Sequence, residues 1–469
     1  LNQRDELFAY LLEREGFERQ PNNTIPRRDN DDAPPPLSFA QERFWFLDQF
    51  EHARPVYNGC KVVRLVGALR VEVLLECLNL IVRRHEVLRT TYPAPDGRPI
   101  QRIADTCSIE ITVTDLEPVA DTELPSAIEL LIRDEWRQPI DLSAGLPIRA
   151  RLTRIGHDQH LLILTLHQIV FDSQSVAIFF RELWTAYEAN QNGQEPKLAA
   201  LPVQYADYAS WQRHRVSSPT FRSHREYWLQ RLSGILPVLN LPTDMPRPPV
   251  QGFDGSRLAI LLPETLQLKL KELSRENGVT LFTTLLAAFK TLLFRYSAQE
   301  DLLVGCPVLN RRLPETENLL GSFVNTLVLR TNYAGSPSFR ATLRRVRDTC
   351  VDAFAHQDFP FEKLVEELQP QRDVARNPIF QVMFAFQNTV VPSLELARLR
   401  SEPVEIDGGM TKFDLTFSLM DQEHGIAGHI EYSTDLFKRD RIERMARHFQ
   451  TLLAGIAVAP DQSIATLPV

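Results

Sequence analysis

Leu161-Leu162-Ile163-Leu164-Thr165-Leu166-His167-Gln168-Ile169-Val170-Phe171-Asp172-Ser173 is the stretch on which the reading of the chain turns. Its apolar run is too short to cross a bilayer and too continuous for a strand with one wet face. It reads as a buried central strand that delivers His167 and Gln168 to its end. A polar turn follows. Asp172 or Ser173 can cap the next helix, whose buried face is marked at helical spacing by Val176, Phe179, Phe180, Leu183 and Tyr187. Strand, polar turn and helix in that order make a suitable place for chemistry.

Working outward, strand-like runs lie at 109–113 and 148–152 with a helix between them at 125–136, an α/β order. A helix at 74–88 closes in Arg83-Arg84-His85-Glu86-Val87-Leu88-Arg89, where cations suit the negative helix end and His85 reads as a structural bond-maker. Ser38 can cap the aromatic helix Phe39-Ala40-Gln41-Glu42-Arg43-Phe44-Trp45-Phe46-Leu47. Residues 2–16 carry Leu7, Leu11 and Leu12 on one side of a short helix, and 17–36 turn to Asn, Asp, Arg and Pro, an extended linker.

After the central strand, Tyr205-Ala206-Asp207-Tyr208-Ala209-Ser210-Trp211 opens another aromatic helix, and 237–255 is dense in proline and glycine. The same α/β logic then recurs: strands at 258–262 and 302–308, helices at 264–277 and 280–297. The expected division is a helix stub and linker at 1–36, an N-terminal lobe at 37–200, and a C-terminal lobe at 201–469 whose loops bridge back to the first. The doubling rests on element order, since no sequence repeat is visible.

With 469 residues the chain is long enough for two cores, and 43% hydrophobic with 24% charged residues is a globular composition. A net charge of -8 and a pI near 5.8 argue against a nucleic-acid surface and for protein or small-molecule partners. Five scattered cysteines without a CxxC pair fit reduced thiols and a cytoplasmic setting better than a zinc site or disulfide framework. Lys290 and Arg295 interrupt the most apolar helix, which therefore reads as core and not as a membrane span. The chain opens on Leu1 and closes at Val469 without a terminal signal, as a segment of a longer polypeptide would.

His167-Gln168-Ile169-Val170-Phe171-Asp172-Ser173 resembles the HHxxxDG motif of nonribosomal peptide synthetase condensation domains, with Gln168 for the second His and Ser173 for Gly. Further stretches resemble family motifs in the family's order: the helix after Ser38, Gly321-Ser322-Phe323-Val324-Asn325-Thr326, His356-Gln357-Asp358-Phe359-Pro360-Phe361-Glu362 and Arg372-Asp373-Val374-Ala375-Arg376-Asn377-Pro378. The resemblance covers about 37–460 and is nearest to domains joining two L-configured units. It implies two lobes like chloramphenicol acetyltransferase, set as a V-shaped pseudo-dimer. The motif would lie at their junction, in a tunnel entered from opposite faces by two carrier-protein phosphopantetheine arms. Upstream and downstream carriers and adjacent synthetase domains are the implied partners, with no metal or cofactor bound by the domain itself. Phe323, Asn325 and Thr326 are implied as tunnel or floor residues, and Arg311 as the cation paired with Asp172.

In the family the second His supplies or positions proton transfer. A neutral amide cannot carry a proton as imidazole does, and general-base catalysis is worth ~10²- to 10⁴-fold. Gln168 can still accept a hydrogen bond from an α-amine, which is partly unprotonated at neutral pH, while His167 and Asp172 hold the turn. Ser173 adds bulk where Gly could take a positive φ. His356, among Phe354, Phe359 and Phe361, reads as structural. Arg372, Asp373 and Arg376 are either a surface charge cluster or a loop bridging the lobes. Lys412-Phe413-Asp414-Leu415-Thr416-Phe417 alternates like a half-buried strand with structural charges.

Two readings stand side by side. One is an acyltransferase that forms an amide, or an ester, by positioning a donor thioester and an acceptor amine. The other is an inactive condensation-like platform that recruits a tailoring enzyme acting in trans on a carrier-bound residue. A free-standing acyl-CoA transferase fits less well, because that class needs the intact motif and a shorter chain.

Overall fold

A computed structural model describes residues 24–28, 33–50, 56–120, 122–371, 373–386, 392–396 and 399–469. The helix expected over 2–16 and Arg372 lie outside the described residues. Of the expected linker, 24–28 is packed down: Ile25 is buried, and Arg28 bonds Glu86 at 2.7 Å and Asp207 at 3.1 Å.

Among the described residues the strands are β1 (Asn58–Gly67), β2 (Thr90–Thr91), β3 (Arg102–Ile103), β4 (Ile111–Asp115), β5 (Ile148–Gly156), β6 (Gln159–His167), β7 (Gly255–Pro263), β8 (Asp301–Val308), β9 (Asn325–Asn332), β10 (Val382–Phe386), β11 (Glu395–Leu396), β12 (Leu399–Val404), β13 (Leu415–Gln422) and β14 (Gly425–Ser433). They build two mixed six-stranded sheets, ordered β11-β12-β1-β6-β5-β4 and β7-β14-β13-β10-β8-β9, plus a β2-β3 ribbon.

The central strand β6 sits between antiparallel β1 and β5, and both its faces are dry. Leu162, Leu164 and Leu166 pack into the large core under helices Val71–Arg84 and Ser173–Gln191. On the opposite face, Leu161 and Ile163 pack with Cys60, Val62 and Ile132, the last on helix Leu124–Arg137. The strand period of two makes this division, and each fully buried side chain stabilises by about 1.5–3 kcal/mol. The second sheet has its own core, built on helices Glu264–Glu276, Leu281–Ser297, Phe339–Ala355 and Arg439–Val458.

Three elements differ from the sequence-based expectation for local reasons. β4 begins at Ile111, not 109, because the Asn79 side chain takes both backbone groups of Ile109, its Oδ1 accepting the N–H at 2.8 Å and its Nδ2 donating to the carbonyl at 3.1 Å. The helix expected to reach 88 stops at Arg84, where His85 turns extended and its Nε2 meets Glu182 Oε2 at 2.8 Å. The strand expected from 412 starts only at Leu415.

Two segments of the C-terminal half enter the first half. β12 pairs antiparallel with β1, Val62 opposite Val404 through Gly67 opposite Leu399, before residues 405–414 return the chain to β13. Leu319, Leu320 and Phe323 pack into the core of the first sheet. No single helix among the described residues is long and apolar enough to cross a membrane. Only the pair Glu264–Glu276 and Leu281–Ser297 passes in combination, and it is bent by 104°. Lys290, fully buried on the second of these, donates to Leu329 O and Thr331 Oγ1 at 2.7 Å each.

Candidate functional site

The chain leaves β6 through a tight turn. Gln168 N–H donates to Tyr57 O at 2.8 Å, and Val170 N–H returns to His167 O at 3.0 Å. Ile169 and Val170 are fully buried, so the turn is pinned from beneath by apolar side chains while Gln168 stays half-buried. The β1 neighbour must be small here: a Cβ on Gly59 would lie 2.2 Å from Phe171 Cζ.

Asp172 is the N-cap of helix Ser173–Gln191, its Oδ1 accepting from Ser175 N–H at 2.7 Å and Ser175 Oγ at 2.8 Å. Arg311 Nη2 donates to Asp172 Oδ1 at 3.0 Å and Oδ2 at 3.2 Å, and Phe323 N–H donates to Oδ2 at 3.2 Å. The Arg311 guanidinium lies 4.1 Å from the centroid of Phe323, whose ring meets Tyr205 and Tyr208 edge-on or tilted. A carboxylate with its oxygens so engaged, in a pair whose side chains are 2% and 6% exposed, fastens the turn to the second half of the chain. It is not free to face a substrate.

His167 is 2% exposed. Its Nδ1 accepts from Ile169 N–H at 3.2 Å, which leaves the proton on Nε2, an atom without a hydrogen bond among the described residues and 3.8 Å from Asp48 Oδ1. Burial, reinforced by the charge of Lys412, pushes the imidazole down to about 3, so it is neutral at physiological pH.

The Gln168 side chain makes one hydrogen bond among the described residues: its Oε1 accepts from Lys412 Nζ at 2.6 Å. Lys412 lies on the 405–414 segment, its Nζ 5.1 Å from the centroid of Tyr57. No carboxylate lies within salt-bridge distance of it among the described residues, and Glu431 is paired with Arg257 at 3.0 Å. Burial lowers the ammonium to about 7, opposed by Glu431 and assisted by Arg43 and Arg257.

The structure therefore brings together His167, Gln168, Asp172, Arg311 and Phe323. Ser173 is the first helical residue, outside the left-handed region, so the positive φ that its glycine counterpart could supply is not used. Asn325 is turned away: its Nδ2 donates to Gln357 O and Phe359 O at 2.7 Å each, and its Oδ1 accepts from Phe361 N–H. Thr326 continues β9 opposite Pro307. His356 stacks on Tyr227 at 4.1 Å and bonds His224 through the two Nδ1 atoms at 2.9 Å. Asp373 pairs locally with Arg376, and Val374 and Ala375 carbonyls bind Gln251 and Arg247 within the same half. Asp414 pairs with Arg247. Lys412 is the residue that sequence reasoning missed. No cluster of three metal-binding side chains occurs among the described residues.

Residues 33–469 match the family model described as Condensation domain. The chain is 41% identical over 466 residues to a polypeptide of the linear gramicidin synthase of Brevibacillus parabrevis, covering 99% of this chain and 6% of that protein. It is 40% identical to the phosphinothricin tripeptide synthetase PhsC of Streptomyces viridochromogenes, covering 96% and 41%. It thus spans less than half the length of either. The X-domain solved in complex with OxyB from teicoplanin biosynthesis superposes with a TM-score of 0.86 at 28% identity, covering 96% of this chain and 99% of that one.

Proposed function

The chain belongs to the condensation-domain family of nonribosomal peptide synthetases, and on that premise we propose that it is an acyltransferase joining a carrier-bound acyl or peptidyl thioester to a carrier-bound amine. The observation that carries this reading is the intact frame beneath an altered motif: Asp172, Arg311 and Phe323 hold the strand end rigid while Gln168 stays half-buried beside a residue of the opposite half. Such a frame suits catalysis by positioning. Holding two reactants in line removes a large entropic part of the barrier, and the α-amine is already a competent nucleophile.

In this reading a tunnel at the junction admits phosphopantetheine arms from an upstream and a downstream carrier, and the domain binds no cofactor of its own. His167 and Asp172 position the turn. Gln168 Oε1 spends one lone pair on Lys412 and offers the other to the amine N–H. Phe323 braces Arg311 from beneath, while Asn325 and Thr326 hold the wall behind it. Five scattered cysteines with no CxxC pair among them support a reducing, cytoplasmic setting.

The test is an intact-protein mass assay with donor carriers charged with N-acetylated amino acids and acceptor carriers charged with free amino acids. Acyl transfer to the acceptor is the expected result, slowed by Gln168→Ala and left equal or raised up to ~10²-fold by Gln168→His. Absence of transfer from every pair overturns the reading. The second reading, a platform for a tailoring enzyme acting in trans, is favoured by one observation: the match to the X-domain solved with OxyB. It predicts no transfer by either variant, and a stable complex with such an enzyme.

A further inference from the structure

Lys412 is turned inward from the segment that joins the two sheets, its Nζ over the ring of Tyr57. Among the described residues the one hydrogen bond of its Nζ goes to a neutral amide, Gln168 Oε1, at 2.6 Å, and no carboxylate lies within salt-bridge distance. The groups facing it are His167 at the end of β6, Arg43 on helix Phe39–Phe50, Arg257 on β7, and Glu431 on β14, which is held by Arg257. Three of the four are neutral or cationic. A lysine so placed is a candidate base, because desolvation beside cations destabilises its ammonium and exposes the lone pair near neutral pH.

We propose that Lys412 is a further catalytic residue, taking over the proton transfer that the second motif His would perform. This rests on the condensation reading above. The acceptor amine, oriented by the free lone pair of Gln168 Oε1, attacks the thioester carbonyl. The N–C bond forms, and a proton passes from that nitrogen to Lys412 Nζ, which the flexible four-carbon stem brings into reach. The C–S bond then breaks, and Lys412 returns the proton to the departing thiolate, so a thioester and an amine become an amide and a thiol. Gln168 acts as a positioning residue: the amide oxygen steadies the ammonium that forms.

Single-turnover rates across pH 6–9, with the charged carriers described above, test the assignment. The wild-type rate should rise with pH and bend near 7, the ionisation that burial gives Lys412. Lys412→Met should lose ~10²- to 10⁴-fold and the bend with it. Lys412→Arg, which keeps the charge but cannot accept a proton, should be equally slow. Gln168→His in the Lys412→Met background should regain rate, since imidazole restores the proton carrier. Full activity in Lys412→Arg would assign a purely electrostatic role and overturn the proposal, as would Lys412→Met within twofold of wild type while the wild type makes product. A wild type silent with every pair overturns the condensation reading and this proposal with it. Independently of turnover, pH-dependent labelling with acetic anhydride and peptide mapping should give Lys412 a midpoint near 7. A midpoint at the ordinary lysine value of ~10.4 sinks the assignment.

Discussion

At the scale of single residues, Asp172 shows how a motif carboxylate is disarmed. Its two oxygens receive Ser175, Arg311 and Phe323, and the pair with Arg311 is nearly sealed from water. Arg311→Ala should therefore cost about 3–5 kcal/mol in urea unfolding, because it strands a buried carboxylate, whereas removing an exposed pair such as Arg439 and Glu443 should cost under ~1 kcal/mol. Equal costs would show that the Asp172 bond is not the anchor described. His167, Gln168, Asp172 and Arg311 were legible because the motif is contiguous and its cation could be placed by resemblance. Lys412 was not. It meets Gln168 across 244 positions, and its own neighbourhood alternates in a way that suggests a half-buried strand with structural charges.

At the scale of elements, long apolar periodic stretches announced themselves, as β6 and helix Leu281–Ser297 did. Helix Pro219–Arg231 did not, since its sequence is mostly polar and only Phe221, His224 and Trp228 are buried. Its start was nonetheless written in Ser218-Pro219, a capping hydroxyl before a first-turn proline, with Ser218 Oγ accepting from Phe221 N–H at 3.2 Å. The loop before β9 exerts the opposite, steric kind of control. A Cβ on Gly321 would lie 1.8 Å from Tyr205 Cδ2, and Tyr205 Oη donates to Ser322 O at 2.6 Å. Gly321→Ala should displace that ring, loosen the seat of Phe323 beneath Arg311 and lower stability by about 1–3 kcal/mol. A variant with an unchanged urea midpoint would show that Tyr205 has room to yield.

For the whole molecule, the two-sheet α/β plan was legible from element order; loops bridging back to the first lobe were expected, but not that β12 would enter the first sheet between β11 and β1, because a strand of six residues carries no mark of which sheet it will join. Charge burial also acts on this scale. Burial holds His167 down to about 3, and His356 and His429 down to about 4, all below the ordinary 6.5. The unfolded chain binds protons there that the folded chain refuses, so stability falls as pH drops from about 6.5 towards 4. The urea midpoint should be lower at pH 5 than at pH 7, and a flat or rising trend would show that these rings protonate in place. The 405–414 segment leaves the first sheet at Val404 and is tied to the second half almost at once: Arg257 N–H donates to Asp407 Oδ2 at 2.8 Å, and Thr411 N–H donates to Phe253 O at 2.9 Å. Lys412 therefore belongs mechanically to the second body and Gln168 to the first, and their 2.6 Å bond is a gauge of the distance between the two. A change in the angle between the sheets would register first in that bond.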